Sequence, residues 1–442
     1  MIASVGRMMR KGGGGLSWPA GMKEHIKAWY DPKKQGMTNY DVIEAYVEYF
    51  TYWTLDNTGI TSTPKKIVIP AGTELKYVIA FRGFNSFTAG FDIKYTGNAV
   101  ITYRYNKEDG TVGTIAIDKS GIYHLPASIK AQKNFGFYCN PQTVTEEATI
   151  EQLPTSILKD LSGNGNHAYL YGGKGKLNSG MGLYKVDFTS LRKSSVQTEV
   201  KPDVIKVTPN TSNYLFVQYA NSVEIPSYKI KVIGLGDNVL KYQYAAENGR
   251  KEINIVEGEN ELPTSIKVSN DYQIGYKLTP GTSVFTITQI PDYPDQLCYD
   301  GKMYAVCYGF PILTDYTVMA ERTWFERQNR ACFLSKITTS GTGAFGFEFY
   351  NEYNEDTTYS FGRANNVEYF KDGITYQITN SYNGIVKLDY IVNGKDNAEL
   401  YIGKLRPSER SAFIGCHGKI IIADRSFTED EITWLKDNLF RK

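Results

Sequence analysis

Apolar and polar residues alternate along most of this chain, in short stretches. Lys66-Ile67-Val68-Ile69, Tyr228-Lys229-Ile230-Lys231-Val232 and Glu252-Ile253-Asn254-Ile255 are typical. A period of two, with β-branched residues at the apolar positions, turns one face of an extended strand to a core and leaves the other wet. Gly, Asn, Asp and Pro punctuate the runs. Asp109-Gly110, Asn248-Gly249, Asp372-Gly373 and Asn393-Gly394 are dipeptides that suit tight hairpins. Helical spacing is confined to the C-terminal end. There Thr428-Glu429-Asp430-Glu431 has the pattern of a capping box, and Ile432, Leu435 and Leu439 follow three and four residues apart. The pattern predicts an all-β chain with a short C-terminal helix.

A repeat organises the middle. Val100–Ile129 and Val239–Ile266 share Tyr103/Tyr105 with Tyr242/Tyr244, Gly110 with Gly249, and Ile115/Ile117 with Ile253/Ile255. Leu125-Pro126 then matches Leu262-Pro263, Ser128-Ile129 matches Ser265-Ile266, and Glu151-Gln152-Leu153-Pro154 matches Thr288-Gln289-Ile290-Pro291. An ordered series of this kind marks one supersecondary unit used twice. Each copy has the size of a β-sandwich. Outside the copies, three separated segments read as one domain cut twice: His25–Pro32, Leu158–Gly172, and the stretch from about Gln296 to Lys442.

Composition narrows the function. Lys and Arg total 49 against 47 Asp and Glu, a net charge of +2. That balance lacks the basic footprint of a nucleic-acid binder. No apolar run reaches the ~18 residues of a membrane-spanning helix. The start, MIASVGRMMRKGGGG, has no apolar core of signal-peptide length, so Sec export is not expected. Tyr, at 34, outnumbers Phe and Trp together, at 21 and 5, which suits half-wet sheet faces and surfaces that bind sugars or proteins. The 5 Cys share no CxxC spacing and the 4 His are scattered, so neither a disulfide framework nor a structural zinc site is expected.

The three outer segments resemble the laminin-G-like, concanavalin A-like lectin/glucanase superfamily. The resemblance rests on the Trp29-Tyr30 strand, the loop Asp160, Ser162-Gly163-Asn164-Gly165-Asn166 and Ala168, and the closing turn Asp424-Arg425, Phe427-Thr428 and Glu431-Ile432. It implies a jelly-roll sandwich interrupted by two related β-sandwiches. The expected division is a flexible Gly-rich N-terminal anchor over 1–24, a jelly roll over 25–41, 155–200 and 293–442, and insertions over 42–154 and 201–292. The Gly-rich start, Trp29-Tyr30-Asp31-Pro32-Lys33-Lys34-Gln35 and both Leu-Pro-bearing inserts also resemble proteins of phages and prophages of Bacteroides-type bacteria. That implies a virion location and a structural or adhesive role. The partners implied are other virion proteins, a host-surface glycan or further copies of the chain, with neither nucleic acid nor membrane.

The superfamily includes glucanases, so a polysaccharide-degrading glycoside hydrolase is the rival reading. Such enzymes need paired carboxylates, and that branch carries them as E-x-D-x-E on one strand. The chain has no such triplet; Glu348, Glu352, Glu355 and Asp356 have other spacings. A non-enzymatic role is therefore expected. Ca2+ is the one cofactor the resemblance allows, with Asp160, Asn164 and Asn166 as oxygen donors. For a sugar or protein ligand, Trp324 and Arg327 with Tyr350 and Tyr353 offer the aromatic and basic mixture favoured at binding hot spots. The first 22 residues hold Gly12-Gly13-Gly14-Gly15 and no apolar period. A tetraglycine is costly to order. Arg7, Arg10, Lys11 and Trp18 are accordingly expected to anchor the chain on a neighbouring subunit, with few contacts to its own domains.

Overall fold

The computed structural model describes residues 17–56, 59–175, 177–193, 198–209, 214–218, 224–267, 274–311, 313, 315–326, 331–336, 348–350, 367–369, 375–381, 399–404 and 413–440. The chain is an all-β sandwich protein: its strands pair antiparallel in several sheets, and one short helix closes the C-terminus. A single helical turn, Pro32–Gln35, is capped by Asp31, whose carboxylate accepts the Lys34 N–H at 2.9 Å.

One sandwich takes strands from all three outer segments. Its larger sheet holds Ile26–Tyr30, Gly180–Leu183, Asp292–Asp300, Asp315–Glu326, Val367–Tyr369, Thr375–Ser381 and Ile414–Ala423. Trp29 lies opposite Ile421, across 392 residues of chain, because the first and last segments are neighbouring strands. The smaller sheet holds Ile157–Leu158, Ala168–Tyr171, Tyr304–Cys307, Cys332–Ser335, Glu348–Tyr350 and Leu400–Ile402. Alternate residues of both sheets, including Ala28, Tyr30, Leu170, Leu297, Tyr299, Ala305, Leu400 and Ile420, form the core between them. A second apolar layer on the outer face of the larger sheet, with Met319, Ile421 and Trp29, is covered by Ile432, Leu435 and Leu439 of the C-terminal helical segment. Thr428 and Glu431 make the reciprocal capping box.

The two insertions have the same topology. In the first, one sheet runs Gly121–Leu125, Phe91–Thr96, Ala148–Gln152, Lys66–Ile69, Thr61–Ser62. The second repeats it as Gly258–Leu262, Tyr228–Ile233, Phe285–Ile290, Val204–Val207, Thr198–Val200. The facing sheets, Thr54–Leu55, Val78–Arg82, Phe135–Cys139, Ile101–Asn106, Val112–Ile117 and Arg192–Lys193, Tyr214–Gln218, Gly275–Thr279, Val239–Ala246, Gly249–Ile255, correspond strand for strand. Small clasps repeat as well. The Asn106 N–H donates to Ser128 Oγ at 3.0 Å and the Ala245 N–H to Ser265 Oγ at 2.9 Å. Phe50 and Phe188 each donate a backbone hydrogen bond, at 2.9 Å, to the carbonyl of Pro64 and Pro202. Gly110 (φ 82) and Gly249 (φ 98) sit at equivalent hairpins in the left-handed region, where a Cβ is disfavoured. Of the expected hairpin dipeptides, Asp372-Gly373 and Asn393-Gly394 lie outside the described residues.

Two boundaries shift from the expected ones. Val42 is buried in the jelly-roll core, so the first insertion begins after it. Val186, Phe188 and Leu191 belong to the core of the second insertion, which begins well before residue 201. The cause is the same in both copies: a short 3-10 turn, Phe50–Tyr52 or Phe188–Ser190, plugs one end of the sandwich before its first strand.

Candidate functional site

On the smaller jelly-roll sheet, Leu170, Ala305, Cys307, Leu400 and Ile402 face the core, and the residues between them point outward. Four of these are tyrosines: Tyr169, Tyr171, Tyr304 and Tyr401. Tyr308, just past the strand Tyr304–Cys307, joins them. Tyr171 and Tyr304 stack with centroids 5.2 Å apart, Tyr169 and Tyr308 lie at 6.0 Å, and the Tyr171 and Tyr308 hydroxyls are 2.8 Å apart. Open to water, such a layer would be a stacking platform for sugar rings.

It is instead covered by the first insertion. The Tyr169 hydroxyl donates to Asp92 at 2.8 Å, and the other Asp92 oxygen is 2.7 Å from His124 Nδ1. Lys94, two residues along the same strand, pairs with Glu399 at 2.6 Å and lies 4.4 Å over the Tyr308 ring. Glu399 also accepts the Tyr401 hydroxyl. At the junction, Glu44 accepts the Gly172 N–H and the Tyr46 hydroxyl, each at 2.6 Å, and pairs with Lys65 at 2.5 Å. Tyr169 and Tyr401 are consequently buried, and Tyr171, Tyr304 and Tyr308 are half-buried. Burial, then Asp92, pushes the Tyr169 hydroxyl up, and it remains a neutral donor. Burial alone would raise the Glu44 carboxyl, but hydrogen bonds from Lys65, Tyr46 and Gly172 bring it below its usual range.

This chemistry makes a joint. A glycosidase needs one carboxyl held protonated and a second about 5–10 Å away. Glu44, Asp92 and Glu399 are each committed to lysine, histidine, tyrosine or backbone donors. Among the described residues, the carboxyl that burial raises is Glu321, which is on the other sheet and accepts the Lys419 N–H at 3.0 Å.

The Asp160 loop has a different role from the expected calcium site. Asp160 Oδ1 accepts the Trp29 and Ser162 N–H groups, both at 2.9 Å. Its Oδ2 accepts Ser162 Oγ at 2.7 Å and the Asn166 N–H at 3.1 Å. A carboxylate offers about four lone-pair sites, and four donors occupy them. Asn164 and Asn166 donate their side-chain N–H groups to the carbonyls of Ile26 and Lys27 at 2.6 and 2.7 Å. Gly163 (φ 96) and Gly165 (φ 76) supply the left-handed turns. The loop therefore staples the opening strand Ile26–Tyr30 into the sheet, which corrects the reading of Asp160, Asn164 and Asn166 as metal ligands. Among the described residues no group of three or more His, Cys, Asp or Glu is placed to hold a metal ion.

Trp18 is a second correction. Its ring packs 4.8 Å from Trp434 and 5.9 Å from Trp29, and Met22 is fully buried beneath the C-terminal helix. Residues 17–24 thus complete the chain's own apolar layer, because the outer faces of Trp29 and Ile421 need cover. Arg7, Arg10 and Lys11 lie outside the described residues, as do Arg327 and Tyr353. Trp324 pairs in the sheet with Gly415, and Tyr350 with Cys332; these two strands belong to different sheets. Adjacent Cys416 and His417 point apart as strand geometry requires: Cys416 Sγ donates to Gln296 Oε1 at 3.0 Å, and His417 Nε2 lies 2.9 Å from the Tyr299 hydroxyl in the core.

Comparison with known proteins adds little. No family model matches the chain, and no curated protein does. Among solved structures, the chain is similar to one described as PBSX exported protein XepA, at 6% identity, over 49% of this chain and 85% of that one, with a TM-score of 0.12. A likeness that weak carries no argument.

Proposed function

We propose that this chain is a non-catalytic structural and adhesive component of a phage particle, built on a laminin-G-like jelly roll that carries two copies of one β-sandwich. The observation that carries the non-catalytic part is the cover that the first insertion places over the tyrosine layer. The first insertion lies over the sheet face that could stack on a sugar, and the carboxylates there are taken up by hydrogen bonds and ion pairs to fixed partners. Such a joint serves to hold modules at a set angle. The virion location rests on the sequence resemblance and on the basic, Gly-rich first 16 residues, which precede the part that packs on the jelly roll. In this reading they attach the chain to a neighbouring virion protein, and the modules reach toward the host surface and its glycans.

The test is deletion of residues 1–15, which leaves Trp18 and Met22 in place. The truncated chain should fold with unchanged circular dichroism and be missing from purified particles. Normal incorporation would refute the anchoring role, and release of sugars from host polysaccharide by the purified full chain would refute the non-catalytic one.

A further inference from the structure

One end of the first insertion carries an aromatic and basic surface that its fold does not require. Tyr49 and Tyr52, at the 3-10 turn, are 50% and 70% exposed; Phe84 and Phe87, on the loop after Val78–Arg82, are 67% and 62% exposed. The pairing of Thr54 with Phe81 and of Leu55 with Ala80 brings turn and loop to the same end, where Arg82 donates to the Tyr52 carbonyl at 3.0 Å. The loop is held in place. The Asn85 N–H donates to the Ala131 carbonyl at 2.9 Å, and Thr88 and Ser128 exchange backbone hydrogen bonds at 3.0 Å. The Lys130 ammonium lies 5.6 Å over the Phe87 ring, and Lys133 is exposed on the same loop. Residues 82–90 and 126–134 contain these cations and no acid; Glu108 and Asp109 occupy the neighbouring hairpin.

The second insertion is an internal control. Counting along the sequence from the matched turns Phe50–Tyr52 and Phe188–Ser190, and from the matched bridges Thr88–Ser128 and Ile225–Ser265, sets Asp187 against Tyr49, Ser190 against Tyr52, Asn221 against Phe84 and Glu224 against Phe87. The same topology stands without any of the four rings. Exposed aromatic clusters that folding does not demand mark contact surfaces.

We propose that this end of the first insertion binds an anionic lipid surface. Phe84 and Phe87 enter the acyl boundary, Tyr49 and Tyr52 lie at headgroup level, and Lys130 and Lys133 meet the lipid phosphates. The chemistry favours lipid over sugar: two protruding phenyl rings have no polar atom to orient a saccharide, whereas tyrosines beside apolar rings and lysines are the composition of interfacial anchors. The proposal is independent of the virion reading.

The test is co-sedimentation of the full chain with vesicles of phosphatidylcholine alone and of phosphatidylcholine mixed equally with phosphatidylglycerol. Binding to the mixed vesicles only, weakened by salt, is expected. Lys130→Gln and Lys133→Gln should each reduce it about fivefold. Replacing Tyr49→Asp, Tyr52→Ser, Phe84→Asn and Phe87→Glu together, which installs the second insertion's residues, should abolish it with an unchanged melting curve. If that variant fails to fold, the lysine variants still decide the matter. Absence of binding, equal binding to neutral vesicles, or lysine variants that bind like the parent would overturn the proposal. So would retention on an acidic polysaccharide without vesicle binding, or self-association that the aromatic replacement abolishes, which would assign the surface to a glycan or to a second copy.

Discussion

The two insertions share ten strands in one order, yet their corresponding outer faces have diverged. In the first, Asp92 and Lys94 are drawn onto the jelly-roll tyrosines. At the matching places of the second, Lys229 and Lys231 are exposed. On the opposite sheet the first copy has Arg104 at 4.5 Å over the Tyr138 ring, where the second has Gln243 and Lys277 in a polar network around Glu252. The lesson is that the inward positions define the fold and the outward ones are free to be spent on a joint, a contact surface or plain solvation. Function in such a protein is read from differences between its copies.

The largest expected effect separates the jelly roll from both insertions. Burial holds His417 at a pKa of about 4, against 6.5 for the free side chain, although its contact with the Gly418 carbonyl acts in the opposite direction. The unfolded chain therefore binds a proton that the folded jelly roll refuses between those values. Jelly-roll stability should be full above pH 6.5 and fall by up to about tenfold per pH unit in its unfolding constant on going down toward pH 4. Hydrogen exchange at Ile414–Ala423 should follow this course, and His417→Gln should flatten it. Once the jelly roll opens, the first insertion should exchange like the second.

Lys94→Glu comes next. It places a carboxylate against Glu399 and should cost about 2 kcal/mol in the joint, less than a fully buried pair because both side chains keep some solvent. Faster hydrogen exchange in Phe91–Thr96, with Tyr228–Ile233 unchanged, is the readout. A smaller effect compares the two cores. Tyr228 and Tyr276 join hydroxyls at 2.8 Å where the first copy has Phe91 and Phe137. Tyr228→Phe alone should cost about 1 kcal/mol, and adding Tyr276→Phe should recover most of it, since the pair is then apolar on both sides. Denaturation midpoints would show the non-additivity. Smallest of all, Lys231→Glu should change stability by less than about 0.5 kcal/mol, as an exposed position does; a change as large as that of Lys94→Glu would mean that the second insertion is docked as well.

Much of the fold was legible because strand period, turn glycines and the Thr428 capping box are local signals. The duplication was legible because the matched residues are those that point inward. The joint was not: Tyr169, Tyr171, Tyr304 and Tyr401 belong to three separate strands, and nothing in their spacing says that Asp92 and Lys94 will cover them. The Asp160 loop misled for a related reason. Its oxygens look available in sequence, and only the fold brings the Trp29 N–H to them. Trp18 looked like a tail residue because its partners, Trp29 and Trp434, lie on other elements, the second of them at the far end of the chain.

The central claim, that the first insertion covers the tyrosine layer and buries Tyr169 and Tyr401, is tested most directly by hydroxyl-radical footprinting of the full chain read by mass spectrometry. Tyr169 and Tyr401 should be protected to the level of the core residue Tyr299, while Tyr52 and Tyr77 oxidise freely. Lys94→Glu should raise the oxidation of Tyr169 and Tyr401 and leave Tyr299 unchanged. Oxidation of Tyr169 and Tyr401 in the parent chain at the rate of Tyr52 would contradict the account: the sheet face would then be open and available to a ligand.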